Sequence, residues 1–445
     1  MLPDRFKNTG PGAQNVATAN ATQSNNNGGG EQINNYYFAQ SQDTGVNTAT
    51  REAEEKDDCL RSLYFPEIHN RRTDIDAAHP GTCDWLFTTT EFLEWRRPSN
   101  IRNHNGVLWI KGNPGSGKST MMKHAFDHCR DDLFRDHLVV AHFFNARGEI
   151  LEKSALGMLR SIVYQIIQID DTLYETIAPS FREKGMKTRD KEWQWHESEL
   201  KDFLNTVSKL PRSQPLLLLT DALDECEESE VRGVVKFLET LSIRAVHKGV
   251  PLRICLSSRH YPNIRMKSVL ELTVESSEAH EADIGKYVRT HLRDSNMENA
   301  ILQKANGIFL WVVLVINLLN KAYDEGRGKV LWETFGGIPG DLETVFSLIL
   351  CKDYGGPSET VSMLQWVLLS DSPLRPESLL LAVLDEPVSL TSEMMRRRIT
   401  FLSRGLIEIR KNTTRIETTP RWGRSQYLLV MPGYGLAAAI FNESF

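Results

Sequence analysis

Apolar runs and amphipathic stretches alternate through the middle of the chain. Four segments have the apolar, β-branched or aromatic composition of buried strands, namely "GVLWI" (106–110), "HLVVAHFF" (137–144), "PLLLLTD" (215–221) and "PLRICLSSR" (251–259). The segments between them, such as "KSTMMKHAFDHCR" (118–130) and "EKSALGMLRSIVYQIIQ" (152–168), have the spacing of amphipathic helices. Apolar strands separated by helices predict an α/β fold, in which a parallel sheet carries helices on both faces.

After about residue 275 the pattern becomes helical only. The helical segments are "DIGKYVRTHL", "IFLWVVLVINLLNKAYDEG", "DLETVFSLILC", "ETVSMLQWVLLS" and "RPESLLLAVL". The last of the series, "MMRRRITFLSRGLIEIR", ends in a strand-like piece, which is compatible with a winged-helix unit. The apolar run at 308–319 is shorter than the roughly 20 residues of a membrane span. We therefore expect a core helix there and no membrane span.

The first 50 residues are rich in Asn, Gln, Gly, Thr and Ala, and this composition predicts a disordered tail. An alternative is a short self-templating motif. "GPGAQ" at residue 10 and "GGGEQ" at residue 28 share the pattern G-x-G-x-Q, and "NYYFAQ" follows the second copy. Asn and Gln ladders and stacked aromatic rings are components of cross-β stacks.

Charge and cysteine content narrow the class of protein. The net charge of −6 offers no overall basic surface for nucleic acid. The six cysteines show neither C-x-x-C nor zinc spacing, and the N-terminus lacks the apolar core of a secretory signal. These features predict free thiols and a cytoplasmic protein.

The segment "GNPGSGKST" matches the phosphate-binding pattern G-x-x-x-x-G-K-[ST], between a predicted strand and a predicted helix. Glycines there let a phosphate chain lie against backbone N–H groups, and the helix N-terminus adds positive potential. Lys118 is expected to reach the β- and γ-phosphates, and the Ser119 hydroxyl to bind Mg²⁺. The predicted nucleotide-binding residues are Gly112, Asn113, Pro114, Gly115, Ser116, Gly117, Lys118, Ser119 and Thr120.

Polar residues follow the third and fourth predicted strands. Asp221 ends the apolar strand "LLLLTD" and is the predicted second Mg²⁺ residue. Asp224 or Glu225 is placed to orient or deprotonate a water molecule. Arg259, after "ICLSS", is predicted to face the γ-phosphate. The predicted cofactors are Mg²⁺ with ATP or GTP.

With these motifs in view, the chain resembles the fungal NACHT-type NTPases of the STAND class, which are relatives of innate-immunity receptors. The resemblance runs from about residue 59 to 409. It rests on "CLRSLYFPEIHNRRTDIDAAHPGTCDWL", "GVLWIKGNPGSGKST", "HFFNARG", "LLLLTDALDEC", "LRICLSSRHYP", "ANGIFLWVVLVINLL" and "LQWVLLSDSPLRPESLLLAVL". It implies a slow NTPase and self-oligomerisation through the nucleotide domain. It also implies that "HPGTC", with His79 and Thr82, lies near the base and ribose, and that the N-terminal motif acts on an amyloid-motif effector protein.

The resemblance also sets the expected domain boundaries. They are a tail at 1–50, a linker and helical segment at 51–105, a P-loop NACHT domain at 106–275, a helical domain at 276–355, a partial winged helix at 356–411 and an atypical C-terminal tail at 412–445. Two features depart from the family. The winged-helix segment F-I-H-x-S-V-x-D-F-L has no counterpart, and repeats of about 30 to 45 residues are missing. We therefore expect no sensor domain, and the resemblance does not extend to the segment that forms the family's off-state lock.

Three functions remain open from the sequence. The first is a signalling switch in fungal innate immunity or heterokaryon incompatibility. The second is a P-loop phosphotransferase acting on a small molecule, although the carboxylates after Asp221 favour water as the acceptor. The third is a degenerate, truncated paralogue that only binds nucleotide.

Overall fold

The computed structural model describes residues 45–187, 193–210, 214–260, 264–326, 340, 342, 345, 357–370, 374–384, 391–403, 407–412 and 426–430. The two G-x-G-x-Q copies and nearly all of the predicted N-terminal tail lie outside these residues, as does most of 412–445. The chain divides into two compact units, residues 1–57 and 58–445. In the first unit, residues 45–57 are helical. The fold below is that of the second unit.

The helices are distributed along the whole described chain. They are α1 Gly45–Leu63, α2 Asn70–Asp74, α3 Thr90–Arg96, α4 Ile101–His104, α5 Lys118–His128, α6 Ile150–Lys153, α7 Ala155–Ile169, α8 Tyr174–Lys187, α9 Glu197–Val207, α10 Glu228–Lys248, α11 Glu278–His291, α12 Glu298–Lys304, α13 Phe309–Asp324, α14 Pro357–Leu369, α15 Pro376–Leu384 and α16 Ser392–Leu402.

A parallel five-stranded sheet forms the centre of the fold, as the apolar pattern predicts. Its strands are β1 Val107–Lys111, β2 Leu138–Phe143, β3 Leu216–Asp221, β4 Leu252–Ser258 and β5 Leu270–Thr273. Their order is β2-β3-β4-β1-β5, and every neighbouring pair is parallel. Because β4 lies between β1 and β3, the loops after β1, β3 and β4 meet at one edge of the sheet.

Helices cover both faces of this sheet, which confirms the predicted α/β class. Along β1, Val107 and Trp109 pack into one buried layer with side chains of α7, α9 and α10. Leu108 and Ile110 pack into the opposite layer with side chains of α3 and α5. Strands buried on both faces therefore read as continuous apolar runs rather than as alternating patterns.

A second hydrophobic cluster lies after the sheet. It joins side chains of α11, α12 and α13 to side chains of α14, α15 and α16. Trp311, Val312, Val315 and Ile316 of the apolar α13 are buried there, as expected of a core helix. Within the described ranges, no helix combines the length and apolarity that crossing a membrane requires.

An antiparallel hairpin lies near the end of the described chain. Its strands are β6 Glu408–Asn412 and β7 Gln426–Val430, with Glu408 opposite Val430. The first strand agrees with the strand-like piece expected after the short helices. The second was not predicted, because the sequence after residue 412 shows no convincing periodicity.

Candidate functional site

The loop between β1 and α5 has the backbone of a phosphate-binding loop. Gly115 and Gly117 have φ angles of +77° and +92°, a region that L side chains avoid. At Gly112 a Cβ would lie 2.7 Å from Glu275 Oε2 and 2.9 Å from Ser116 Oγ, so a larger residue would displace these two side chains. Gly115 and Gly117 therefore suit the backbone conformation of the turn, and Gly112 suits its close packing.

Lys118 is the first residue of α5, and its side chain folds back over the loop. Its Nζ donates hydrogen bonds of 2.9 Å to the carbonyl oxygens of Gly112 and Asn113. Burial lowers the pKa of Lys118, and the carboxylates of Asp224 and Asp221 oppose that shift. Phosphate oxygens would be stronger partners for this ammonium than neutral carbonyls are.

The other motif residues lie where the pattern places them. Asn113, Pro114 and Ser116 belong to the turn, in which Ser116 N donates to Asn113 O at 3.2 Å. Thr120 lies in the first turn of α5. The buried Ser116 hydroxyl has no hydrogen-bond partner in the described part of the chain.

Asp221 is fully buried at the end of β3, between the hydroxyls of two serines. Burial raises the pKa of Asp221, while the hydrogen bond from Ser257 and the nearby Ser119 hydroxyl lower it. Ser257 Oγ donates to Asp221 Oδ1. The other carboxylate oxygen, Oδ2, is buried and has no hydrogen-bond partner among the described residues.

The unpartnered Oδ2 atom indicates whether Ser119 and Asp221 could bind a magnesium ion. A hydroxyl and a carboxylate oxygen are hard donors of the kind that Mg²⁺ prefers, usually with waters and phosphates completing the shell. Asp221 Oδ2 is an unused acceptor, and the hydroxyl of Ser119 is close enough to lower the pKa of this carboxyl. The donor set therefore fits Mg²⁺ at the two predicted residues.

Asp224 and Arg259 bind each other in two places. Arg259 Nε lies 2.9 Å from Asp224 Oδ2, and the backbone N–H of Arg259 donates to Asp224 Oδ1 at 2.9 Å. Burial raises the pKa of Asp224, and the Arg259 guanidinium opposes the shift. The structure thus brings together the two residues predicted at the ends of β3 and β4. Their roles toward water and the γ-phosphate stay predictions.

Glu225 lies in the same turn but faces other partners. Ala222, which precedes this turn, has a left-handed φ of +52°, and its N–H donates to Ser257 Oγ at 3.1 Å. Glu225 Oε2 accepts a 3.1 Å hydrogen bond from the backbone N–H of Ala146. Its Oε1 lies 4.0 Å from Arg71 Nη2. The residue therefore touches both the loop after β2 and the helix α2.

Glu275, which the sequence did not single out, contacts the start of the P-loop. Its Oε2 accepts a 3.1 Å hydrogen bond from Asn113 N, and its Oε1 lies 2.6 Å from His260 Nε2. Burial alone would raise the pKa of Glu275, but the hydrogen bonds from His260 and the backbone hold it below its ordinary value. Glu275 therefore links the P-loop to the loop that follows β4.

The first turn of α13 contacts the tip of the P-loop. Leu310 N donates a 2.9 Å hydrogen bond to Gly115 O. A Cβ on Gly115 would lie 2.9 Å from Leu310 Cβ, so the two backbones approach closely. Gly307, with φ +71°, packs against Glu275, and its carbonyl lies 2.9 Å from His280 Nε2. The helical part of the chain is thereby joined directly to the phosphate-binding loop.

The segment with His79 and Thr82 packs on α11. Thr82 Oγ1 donates to His79 O at 2.6 Å. The His79 ring lies edge-on to Tyr287 and His291, with centroids 5.5 and 5.0 Å away. Tyr287 and His291 stack at 4.1 Å. The role of His79 and Thr82 near a base stays a prediction, and the two α11 rings carried no sequence signal because they occupy ordinary helical positions.

Comparison with known proteins matches the part of the chain that contains this site. The family described as Nephrocystin 3, N-terminal matches residues 81–259. Vegetative incompatibility protein HET-E-1 of Podospora anserina is 23% identical over 351 residues, which are 73% of this chain and 24% of that protein. The chain thus spans about a quarter of that relative's length.

Two solved structures show a looser likeness. Cdc6p from Pyrobaculum aerophilum is 11% identical with a TM-score of 0.35, covering 82% of this chain and 96% of that one. The STAND protein with a tetratricopeptide repeat sensor, PH0952 from Pyrococcus horikoshii, is 12% identical with a TM-score of 0.36 and covers 78% of this chain and 41% of that one. At these TM-scores neither likeness supports a statement about activity.

Proposed function

We propose that this chain is a NACHT-type NTPase that acts as a nucleotide-controlled signalling switch. The observation that carries the proposal is the hydrogen bond from Leu310 N to Gly115 O, supported by the Asn113–Glu275 contact. Through these contacts the loop that would bind the phosphates is also the surface on which the helical part rests. A change at the phosphates therefore acts on the contact between the two parts.

The residues of the site have separate tasks in this proposal. Lys118 exchanges its two carbonyl partners for the β- and γ-phosphates of ATP or GTP. Ser119 and Asp221 hold Mg²⁺, which when bound offsets the negative charge of the phosphates. Asp224 and Glu225 position the water, and Arg259 stays tied to Asp224 until the terminal phosphate competes for it. Hydrolysis with water as acceptor then resets the switch slowly.

The output of the switch is self-oligomerisation through the nucleotide-binding domain in the cytoplasm. In this proposal, assembly gathers the N-terminal segments with the G-x-G-x-Q pattern, which raises their effective concentration toward an amyloid-motif effector. The biological setting that we propose is fungal innate immunity or heterokaryon incompatibility. HET-E-1 carries the name of a vegetative incompatibility protein, which supports this setting.

Phosphate release in the absence of any added acceptor tests the reaction. The full chain is incubated with Mg²⁺ and ATP or GTP, beside Lys118→Ala and a control, Lys236→Ala, which removes an exposed lysine of α10. We expect slow release from the wild type and the control, and none from Lys118→Ala. Release that requires a small-molecule acceptor would show a phosphotransferase instead. Binding without release under either condition would leave only nucleotide binding.

A further inference from the structure

The short helix α2, which precedes the sheet in the chain, places Arg71 near Glu225, in the turn that follows β3. Helix α2 carries Arg71, whose guanidinium Nη2 lies 4.0 Å from Glu225 Oε1. Arg71 is far from the P-loop in sequence and has no part in the proposed function. Its neighbour Arg72 points elsewhere, with its guanidinium 4.3 Å from the centre of the Phe126 ring on α5.

The Arg71 guanidinium is short of acceptors for a largely buried cation. Its side chain is 24% exposed, and Nε is buried without a hydrogen-bond partner among the residues that the structure describes. The Glu225 contact of 4.0 Å is longer than a hydrogen bond. Burying a charged group without its hydrogen bonds is unfavourable, so this arrangement suits a ligand that supplies the missing acceptors.

The surroundings indicate the chemistry of that ligand. Arg71 adds positive potential at the buried Asp221 carboxyl, the predicted Mg²⁺ residue. It also lies beside Glu225, which directly follows Asp224, the partner of Arg259. A planar guanidinium with unused N–H donors, within electrostatic reach of the carboxylate predicted to hold Mg²⁺, suits a phosphoryl group, which guanidinium binds through paired N–H donors.

We propose that Arg71 contacts the terminal phosphate of a bound nucleoside triphosphate and so distinguishes it from a diphosphate. This inference rests on the proposed function, because it needs a nucleotide in the P-loop. It adds a third cation to Lys118 and Arg259. It also makes α2, which precedes the sheet in the chain, an element that responds to the γ-phosphate.

The proposed contact with phosphate has to be distinguished from a purely structural role, in which Arg71 does no more than orient Glu225. The two roles differ in a double-variant comparison. If Arg71 only orients Glu225, its replacement has no added effect once Glu225→Gln is present. If it contacts phosphate, the loss of triphosphate affinity persists in the Glu225→Gln background.

The test measures the affinity of the full chain for the non-hydrolysable β,γ-imido analogues of ATP and GTP and for ADP and GDP, with Mg²⁺. The variants are Arg71→Met, Arg71→Lys, the double variant with Glu225→Gln, and the matched control Arg72→Met from the same helix. For Arg71→Met we expect at least about a tenfold loss of triphosphate affinity with diphosphate affinity unchanged. Arg71→Lys should lose less, because it keeps the charge without the planar fork.

The measured affinity ratios either support or overturn the contact between Arg71 and the terminal phosphate. An unaltered ratio of triphosphate to diphosphate affinity in Arg71→Met, or a loss that vanishes in the Glu225→Gln background, would overturn the inference. If Arg71→Met does not fold, the Arg71→Lys ratio decides in the same way. Lys118→Ala separates this inference from the proposed function. Normal binding by Lys118→Ala overturns both, whereas its failure to bind beside an unchanged Arg71→Met ratio overturns only the role of Arg71.

Discussion

The backbone N–H of Leu310 and the carbonyl oxygen of Gly115 are joined by a 2.9 Å hydrogen bond between the helical part of the chain and the P-loop. Gly115 has a φ of +77°, and a Cβ on it would lie 2.9 Å from Leu310 Cβ. A side chain at residue 115 therefore strains the turn and pushes the two segments apart.

Gly115→Ala should weaken the contact and speed the release of bound diphosphate. The reasons are the left-handed backbone, which is unfavourable for alanine by about 1 kcal/mol, and the clash with Leu310. Stopped-flow release of a fluorescent diphosphate measures the effect. The control is Gly233→Ala in α10, where a Cβ meets nothing within 4 Å and should leave release unchanged. Equal release from both variants would show that the Leu310 contact does not restrain the nucleotide.

Lys118→Ala should reduce nucleotide affinity at least about tenfold, because a hydrogen bond to a charged group contributes roughly 1.5–3 kcal/mol. Titration with a fluorescent nucleotide measures the change, and Lys236→Ala controls for the loss of one positive charge. Wild-type affinity in Lys118→Ala would remove the basis for the P-loop assignment.

Asp221→Asn and Glu225→Gln should have different effects. Asp221→Asn should weaken binding in Mg²⁺ but leave binding in a chelator unchanged, because Oδ2 is the unused acceptor proposed for the ion. Glu225→Gln should preserve binding in Mg²⁺ and slow phosphate release. Affinities with and without Mg²⁺, together with single-turnover release, separate the two. If the variants behave alike, the division of tasks between the carboxylates is wrong.

The buried His142 should make the fold sensitive to mild acid. Burial lowers the pKa of His142 to about 3, and neither ring nitrogen has a hydrogen-bond partner in the described chain. The unfolded chain takes up this proton below a pH of about 6.5 and the native state does not, so stability falls as the pH falls from there. By about pH 5 the loss from this residue is about 2 kcal/mol.

His142→Leu should therefore flatten the dependence of unfolding free energy on pH between about 7 and 5. Urea unfolding at both pH values measures it, and His247→Leu, an exposed position of α10, is the control. The same acid sensitivity in wild type and His142→Leu would mean that His142 is protonated in the native state.

The sequence predicts the parts of this molecule that have a local cause. A few consecutive residues are enough to predict each of these features: the apolar strands β1 to β4, the glycine turn and the acidic residue at the end of β3. Strand β5 was missed because it is a short edge strand with only Leu272 fully buried, so its pattern is weak. It forms because it pairs with β1, a long-range contact.

The residues that complete the site were missed for a similar reason. Glu275 reaches Asn113, and Arg71 lies near Glu225, only because the fold brings residues distant in sequence to one edge of the sheet. Nothing in their local sequence distinguishes them from surface charges. The mutual binding of Asp224 and Arg259 was likewise hidden, although each was singled out alone.

In the proposed function, the nucleotide bound at the P-loop controls whether the chain assembles. The most direct measurement is the mass of the full chain in solution with Mg²⁺ and either the β,γ-imido triphosphate or the diphosphate, by light scattering. We expect a larger assembly with the triphosphate than with the diphosphate, and no such difference in Lys118→Ala. The same mass with both nucleotides, when binding of both has been verified, would contradict it.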